Sequence, residues 1–544
     1  MKKTLLITGI VLLVLVILLA IDAFTFGKSF AYLKHVFFPP AVDPQWEQHD
    51  PAPYVKRFPS GMSAEKKARI ILNEMTLEEK IRYLGGYEFF GTQPVERLNI
   101  PPVWFADATS GVRRGLSTAF PVNVAMTASW NRDLIKNAGT AIAEECRAKG
   151  VSVILGPGMN IYRVPTCGRN FEYMGEDPYL AGSMGSAYIQ GVQGRGVIAC
   201  AKHLTANNSD YDRHRMSSDM DERTLREIYL PQFRMSVKNG NVKSIMAAYN
   251  PVNGIHASQH EHLIYDILFG EWDFDGFIMS DWTSVYSVKP VVKHGVDIEM
   301  PYGKYLNKEN ILPLIEKGEV SEADIDRKVM HLLTTFFQMG ILERPVVSDR
   351  YGVNTDAHRK AALDIAREGI VLLKNGEGPD DSVLPLMGEQ RIYLENVDSQ
   401  AASRYGEVVR TPGEADIAII RLGAPFEKRR GFLERMFHAG DLDFKPEELS
   451  HILEICRQAP TIVDIYLDRP AVVPEIAEAC ATLIGNFGAS DEVVLDVVFG
   501  RFNPEGKLPF ELPSSMDAVR AQKEDVPHDS ENPLFPFGFG LRYG

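Results

Sequence analysis

Cysteine is scarce. The five residues Cys146, Cys167, Cys200, Cys456 and Cys480 are scattered over 544 positions with no CxxC pair, which argues against a disulfide framework and against a structural zinc site. Neither GxGxxG nor GxxxxGK followed by Ser or Thr occurs, so nucleotide binding has no motif behind it. Basic residues are in deficit, 58 against 72 acidic, for a net charge of -14; such a chain repels phosphate backbones, and no nucleic-acid partner is expected. Internal repeats and low-complexity tracts are absent. Long apolar runs are absent except for one, which excludes a polytopic membrane protein. What remains, 45% hydrophobic and 24% charged, is the composition of a globular enzyme, with length enough for a large barrel and a smaller domain.

The one apolar run is Thr4–Ile21, uncharged behind Lys2 and Lys3. It exceeds the core of an ordinary signal peptide and reaches spanning length, while Ile21-Asp22-Ala23 is a weak match to a small-residue cleavage site. We read residues 1–21 as a transmembrane signal anchor, with the lysines inside and the body on the periplasmic side. Secretion after cleavage is the alternative, and both readings export the body. Residues 22–62, with Pro39, Pro40, Pro44, Pro51, Pro53 and Pro59, read as a tether.

The fold is expected to begin near Ser63. Thr76 and Glu79 form a capping box, Leu77, Ile81 and Leu84 share one helical face, and Gly85-Gly86 ends it. Short apolar runs follow at 102–106, 151–155, 197–201, 244–248 and 276–280, with a weaker one at 296–300. Between them lie helical patterns, including 133–149 and 261–269. This alternation predicts a parallel sheet with crossover helices, and the extent 63–341 fits a (β/α)8-type, TIM-like barrel. Its last helix is capped by Ser321 and Asp324 and stopped by Gly340. A linker at 342–365 leads to a second region, 366–544. There, strands at 392–397, 416–422, 461–467 and 481–487 and helices at 446–457 and 491–498 predict a doubly wound α/β sandwich.

The chemistry gathers where the barrel strands end. Asp107 follows the first run, Lys202 and His203 the third, Tyr249 and Asn250 the fourth, Asp281 and Trp282 the fifth. Barrel enzymes build their sites from these C-terminal ends. Carboxylates and cations to hold hydroxyls, with aromatic faces to stack on C–H surfaces, suit a polyol.

Four stretches carry a resemblance: Gly168-Arg-Asn-Phe-Glu-Tyr-Met-Gly-Glu-Asp-Pro-Tyr179, Lys202-His203, Ser244-Ile-Met-Ala-Ala-Tyr-Asn-Pro-Val-Asn-Gly254 and Gly276-Phe-Ile-Met-Ser-Asp-Trp282. In this order they resemble glycoside hydrolase family 3, nearest its exported β-glucosidases, and Pro533–Leu541 resembles the closing segment of that family's second domain. The resemblance implies exo-acting hydrolysis of a β-glucoside with retention, through a glycosyl-enzyme. It implies that Asp281 is the nucleophile and that Asp107, Arg169, Lys202, His203 and Tyr249 wall the terminal subsite, with Met246 and Trp282 as its apolar lining. It places the acid/base on a second-domain loop, here 423–441, where Glu427 fits when aligned from the preceding strand and Glu434 when aligned from Asp441-Leu442. β-Xylosidase, or another β-glycosidase of the same family, remains open. So does a membrane-tethered glycan-binding protein impaired in catalysis. A hexosaminidase is disfavoured, because Lys202-His-Leu-Thr-Ala-Asn-Asn208 lacks that branch's Lys-His-Phe-Pro-Gly-His-Gly.

No cofactor is called for. His256, His260 and His262 have metal-like spacing without an acidic or thiolate set, so no metal site is assigned. Cys200 reads as core, and Asp212, His214 and Ser217 lack the context of a hydrolase triad.

Overall fold

The computed structural model describes residues 58–107, 110–344, 352–378, 381–429 and 437–543. Five parallel strands stand side by side in chain order: Phe105–Asp107, Val153–Leu155, Ile198–Leu204, Ser244–Ala247 and Phe277–Met279. Their residues are buried almost throughout, which is why they read as unbroken apolar runs rather than alternating ones. The crossover helices begin where the sequence supplies a cap. Asn131 Oδ1 accepts the N–H groups of Asp133 and Leu134, and the helix Arg132–Ala148 then buries Leu134, Ala138, Ile142 and Cys146.

The ring closes less regularly than eight parallel strands would. Ile298 bridges Met279 and Glu299 bridges Gly85, both parallel; the hairpin Gly86–Tyr87/Gly91–Thr92 follows, and its Gly91 bridges Trp104 antiparallel. The barrel is therefore TIM-like, with Gly91–Thr92 running against its neighbours and the weak run 296–300 reduced to single bridges. Close backbone contact replaces the ladder here: a Cβ on Gly86 would lie 2.3 Å from the Pro301 carbonyl oxygen. The helix expected at 261–269 is present as a π-helical segment, His262–Glu271.

The final barrel helix, Glu322–Gln338, starts at the Ser321–Asp324 box and stops at left-handed Gly340. Within 342–365, expected to be a linker, Thr355 caps the helix Asp356–Glu368. Its His358 bonds Glu144 and Glu145 on the barrel. The second domain is a six-stranded sheet in the order 371–375, 482–486, 461–466, 417–423, 390–395, 406–408, parallel except for its first strand. Both outer strands were missed in the sequence. The strand order reverses between 390–395 and 417–423, the switch point where doubly wound sheets place functional loops; the loop from Gly423 starts at that edge. The segment 533–541 closes the domain, pairing with Leu508, Leu512 and Leu372.

All five cysteines are free. Among the described residues no helix is long and apolar enough to cross a membrane; the anchor expected at 1–21 lies outside them.

Candidate active site

Asp281 follows the strand Phe277–Met279 and is buried to 6% exposure. Its backbone carbonyl accepts the hydroxyls of Ser280 and Ser284, which fixes the turn. Its Oδ1 accepts the Trp282 N–H at 2.7 Å. Its Oδ2 lies 3.4 Å from His203 Nε2. Burial, first, and the cations Arg169 and Lys202 hold the His203 imidazole well below its ordinary pKa, so it is neutral. Arg169 Nη2 donates to Nε2 at 3.1 Å, which puts the ring proton on Nδ1, facing Asn160 Oδ1 at 3.4 Å. Nε2 therefore has no proton to offer Asp281, and Oδ2 has no hydrogen-bond partner among the described residues. An unpartnered, buried carboxylate oxygen beside cations is an available nucleophile.

The cationic wall is cross-braced. Lys202 Nζ donates to Asp107 Oδ1 at 2.9 Å and lies 3.8 Å from Glu172 Oε2. Burial works against its charge, but Asp107 and Glu172 more than offset this and lift its pKa. Burial likewise opposes the Asp107 charge, and Lys202, Arg113 and Arg169 together pull its carboxyl below the usual range. Asp107 is 31% exposed and so reaches the cleft, while Lys202 beneath it is 5% exposed. Arg169 Nε bonds Glu172. Tyr249 is buried, its phenol pushed well up by burial and by the Asp281 carboxylate, so it stays a neutral donor. Met246, at the end of its strand, is buried, and Trp282 packs on Phe90 with ring centroids 5.1 Å apart. Buried polar atoms without a hydrogen-bond partner among the described residues converge here: Arg169 Nη1, Asn207 Oδ1, Asp281 Oδ2 and Trp282 Nε1, together with Asp210 Oδ1, which faces Arg213 at 3.7 Å. A bound polyol can satisfy them.

Asp107, Lys202, His203, Tyr249 and Asp281, which follow strand ends, thus form one connected group with Arg169, which the family resemblance named and which lies just before the turn Asn170–Glu172. Several members were missed. Glu172, inside the Gly168–Tyr179 stretch, bonds Arg169 and lies near Lys202. Arg213 covers the Tyr249 ring at 4.3 Å, and His214 packs against that ring at a tilt, with centroids 4.7 Å apart. Both follow Lys202-His203 on a polar loop, whose length after a strand end was the available signal. Of the triad considered and discounted, Asp212 pairs with Arg215, His214 with Tyr286 and Ser217 with Asp219. The three histidines go separate ways: His256 bonds the His214 carbonyl, His260 accepts the Leu263 N–H, and His262 joins Asp266 and Glu222.

The second domain reaches over the cleft. Phe437 stacks on Phe171 at 6.5 Å, Gly440 N–H bonds the Thr166 carbonyl, and Arg469 bonds the same carbonyl and that of Gly440. Glu427 is exposed at the base of this loop, its N–H bonded to the Ala439 carbonyl at 2.9 Å. Glu434 lies outside the described residues.

Residues 87–335 match the glycosyl hydrolase family 3 N terminal domain and residues 393–543 the glycosyl hydrolase family 3 C-terminal domain. The chain is 32% identical to thermostable beta-glucosidase B of Acetivibrio thermocellus, over 87% of this chain and 72% of that one. It is 31% identical to beta-glucosidase BoGH3A of Bacteroides ovatus, over 88% and 78%. In three dimensions it is similar to beta-glucosidase 3B of Thermotoga neapolitana solved in complex with glucose, with a TM-score of 0.76 at 27% identity, covering 88% of this chain and 83% of that one. With both domain matches in barrel-then-sandwich order, the chain belongs to glycosyl hydrolase family 3 and is a glycoside hydrolase.

Proposed function

We propose that the protein is an exo-acting, retaining β-glucosidase. The observation that carries this reading is Asp281 Oδ2: buried, without a hydrogen-bond partner, and facing a cleft braced by Lys202, Arg169 and Asp107. The relatives' names support glucose as the sugar. In this mechanism Asp281 attacks the anomeric carbon while an acid protonates the departing oxygen; water then opens the glycosyl-enzyme with the same acid acting as base. Asp107 and Lys202 hold hydroxyls of the terminal sugar. A panel of nitrophenyl glycosides should show the β-glucoside preferred, and a 2-fluoro-glucoside should label the peptide containing Asp281. Asp281→Asn should lose about 10³-fold or more in kcat while still binding sugar. A preference for the β-xyloside, or label on another carboxylate, overturns the assignment.

Glu434 is the proposed acid/base, because Glu427 is held at the loop's base. Removing the true acid slows hydrolysis of a disaccharide far more than that of a dinitrophenyl glycoside, and azide, which needs no base, rescues the second step. Glu434→Ala should behave so, and Glu427→Ala should show a mild defect independent of the leaving group; the reverse moves the role to Glu427. We also propose that Thr4–Ile21 anchors the body outside the cytoplasm, on the strength of the apolar run behind Lys2 and Lys3. A carbonate wash should leave the enzyme with the membranes, and release into the wash refutes the anchor.

A further inference from the structure

The hairpin that closes the barrel ring carries a backbone oddity beside the nucleophile. Its turn has Glu88 at φ 43° and Phe89 at φ 68°. The Phe90 N–H bonds the Glu88 carbonyl at 2.9 Å, across Phe89. A hydrogen bond between residues two apart, with the central residue at positive φ, makes a γ-turn of the rare, strained kind. Glycine and asparagine tolerate that conformation; for a bulky aromatic it is an outlier. A costly conformation at a residue close to the chemistry invites a functional reading.

The ring of Phe89 indicates which. Its centroid lies 6.1 Å from the Trp282 indole, 6.1 Å from Tyr302 and 5.2 Å from Phe90, all tilted or edge-on, within the range of attractive aromatic pairs. Phe90 also contacts Trp282, at 5.1 Å, and its carbonyl accepts the N–H of Phe105 at 2.7 Å, at the start of the strand that ends in Asp107. The turn is therefore tied at one end to the strand bearing a sugar-binding carboxylate. At its tip it presses on the indole next to Asp281. Trp282 keeps its Nε1 buried and unpartnered among the described residues, so rings rather than a hydrogen bond hold the indole in place.

We propose that Phe89 is a positioning residue of the terminal subsite: the strained hairpin holds its ring against Trp282 and so fixes the apolar wall on which the sugar packs. The proposal rests on the glycosidase reading for the identity of that sugar. Because the wall contacts the sugar in both the ground state and the transition state, losing its support weakens binding uniformly and appears in KM rather than in kcat.

The test compares Phe89→Leu and Phe89→Tyr with the wild-type full-length protein. Phe, Leu and Tyr bear similar backbone cost at positive φ, so the comparison isolates the ring. Phe89→Leu should raise KM for 4-nitrophenyl β-glucoside about three- to tenfold, the worth of an aromatic pair, with kcat within about twofold and the melting temperature retained. It should also shift the Trp282 emission, obtained by difference from the matching Trp282→Phe proteins. Phe89→Tyr should keep the wild-type KM and emission. An unchanged KM in Phe89→Leu overturns the proposal, as does an equal rise in Phe89→Tyr. A fall in melting temperature without a KM change makes Phe89 a structural prop and overturns it too. Should the wild type hydrolyse no glycoside in the panel, the functional reading fails by itself, and the Trp282 emission of Phe89→Leu still decides whether the ring holds the indole.

Discussion

At the scale of single residues, the site is governed by the tension between burying the proposed nucleophile and keeping it charged. Burial pushes the Asp281 carboxyl above the ordinary aspartate value; Arg169, the Trp282 N–H, Arg213 and Lys202 pull it back without fully compensating. The reaction needs the ionised form, so kcat/KM must fall as pH drops through the Asp281 pKa. The acid limb of the pH profile should therefore lie above the value of about 3.9 typical of a free aspartate. Lys202→Met removes one cation that lowers that pKa, so the limb should move to higher pH, in addition to any loss of affinity through Asp107. A limb that stays in place in Lys202→Met, measured as kcat/KM against pH, shows that another group sets it. The placement of Asp281, Lys202 and Asp107 around one cleft was legible because each stands at the end of an apolar run, while the roles proposed for them rest on the family resemblance. Glu172 and Arg213 were less legible, since they brace other side chains across loops: for Arg213 the only signal was a long polar loop after a strand end, and Glu172 carried none beyond its place in the Gly168–Tyr179 stretch.

At the scale of elements, what was legible followed from local rules. The Thr76–Glu79 box closes as read, Thr76 N–H to Glu79 Oε2 at 2.9 Å and Glu79 N–H to Thr76 Oγ1 at 3.2 Å. The Ser321–Asp324 box and the helix Asp491–Val498 also stand where expected. The hairpin at 86–92 and the edge strands 371–375 and 406–408 were not legible. They are short: the hairpin pairs locally, Gly86 with Thr92, around a turn that carries no Asn-Gly or Asp-Gly signal, and the edge strands depend on partners outside their own segment, Leu372 with Ile484 and Gly406 with Gln390. The lid loop depends on a similar long-range fit. A Cβ on Gly168 would lie 2.7 Å from Phe437 Cβ, 2.9 Å from Asp210 Oδ2 and 3.1 Å from Ala439 Cβ. Gly168→Ala should therefore push the second-domain loop off the barrel. Because that loop carries the proposed acid, hydrolysis of a disaccharide should fall several-fold more than that of a dinitrophenyl glucoside. Stability should change by only about 1 kcal/mol. Equal losses on both substrates, with a large drop in melting temperature, would falsify the lid argument and make Gly168 a packing residue.

At the scale of the whole molecule, the two domains are joined by a buried polar cluster as well as by apolar contacts. Arg163 of the barrel is fully buried; it donates to the Lys523 and Val526 carbonyls and pairs with Asp529 at 2.7 Å, while Tyr162 stacks on Phe510 at 5.3 Å. Glu176 accepts the Glu511 N–H and lies 3.6 Å from Arg163. His528 of the second domain sits between Glu176, at 2.8 Å, and Asp177, at 3.3 Å. Burial opposes its charge, but the two barrel carboxylates dominate and raise its pKa to about 9. A histidine whose folded-state pKa exceeds its unfolded value of about 6.5 binds an extra proton on folding. Its contribution to stability is complete below pH about 6.5 and disappears as pH rises through about 9. Lys149 and Lys328 act in the opposite sense, since burial lowers each to about 8, so the raw stability curve mixes the two effects. The difference between wild type and His528→Gln cancels the lysines. That difference should be on the order of 1–2 kcal/mol in favour of wild type at pH 6 and should shrink towards zero by pH 9.5. The enzyme should lose domain adhesion along with it, so cleavage by added protease within 342–365 should quicken with pH in wild type and be fast at every pH in His528→Gln. A stability difference that stays constant from pH 6 to 9.5 would mean that His528 supports the interface through its ring contact with Phe537, at 4.3 Å, and not through its charge.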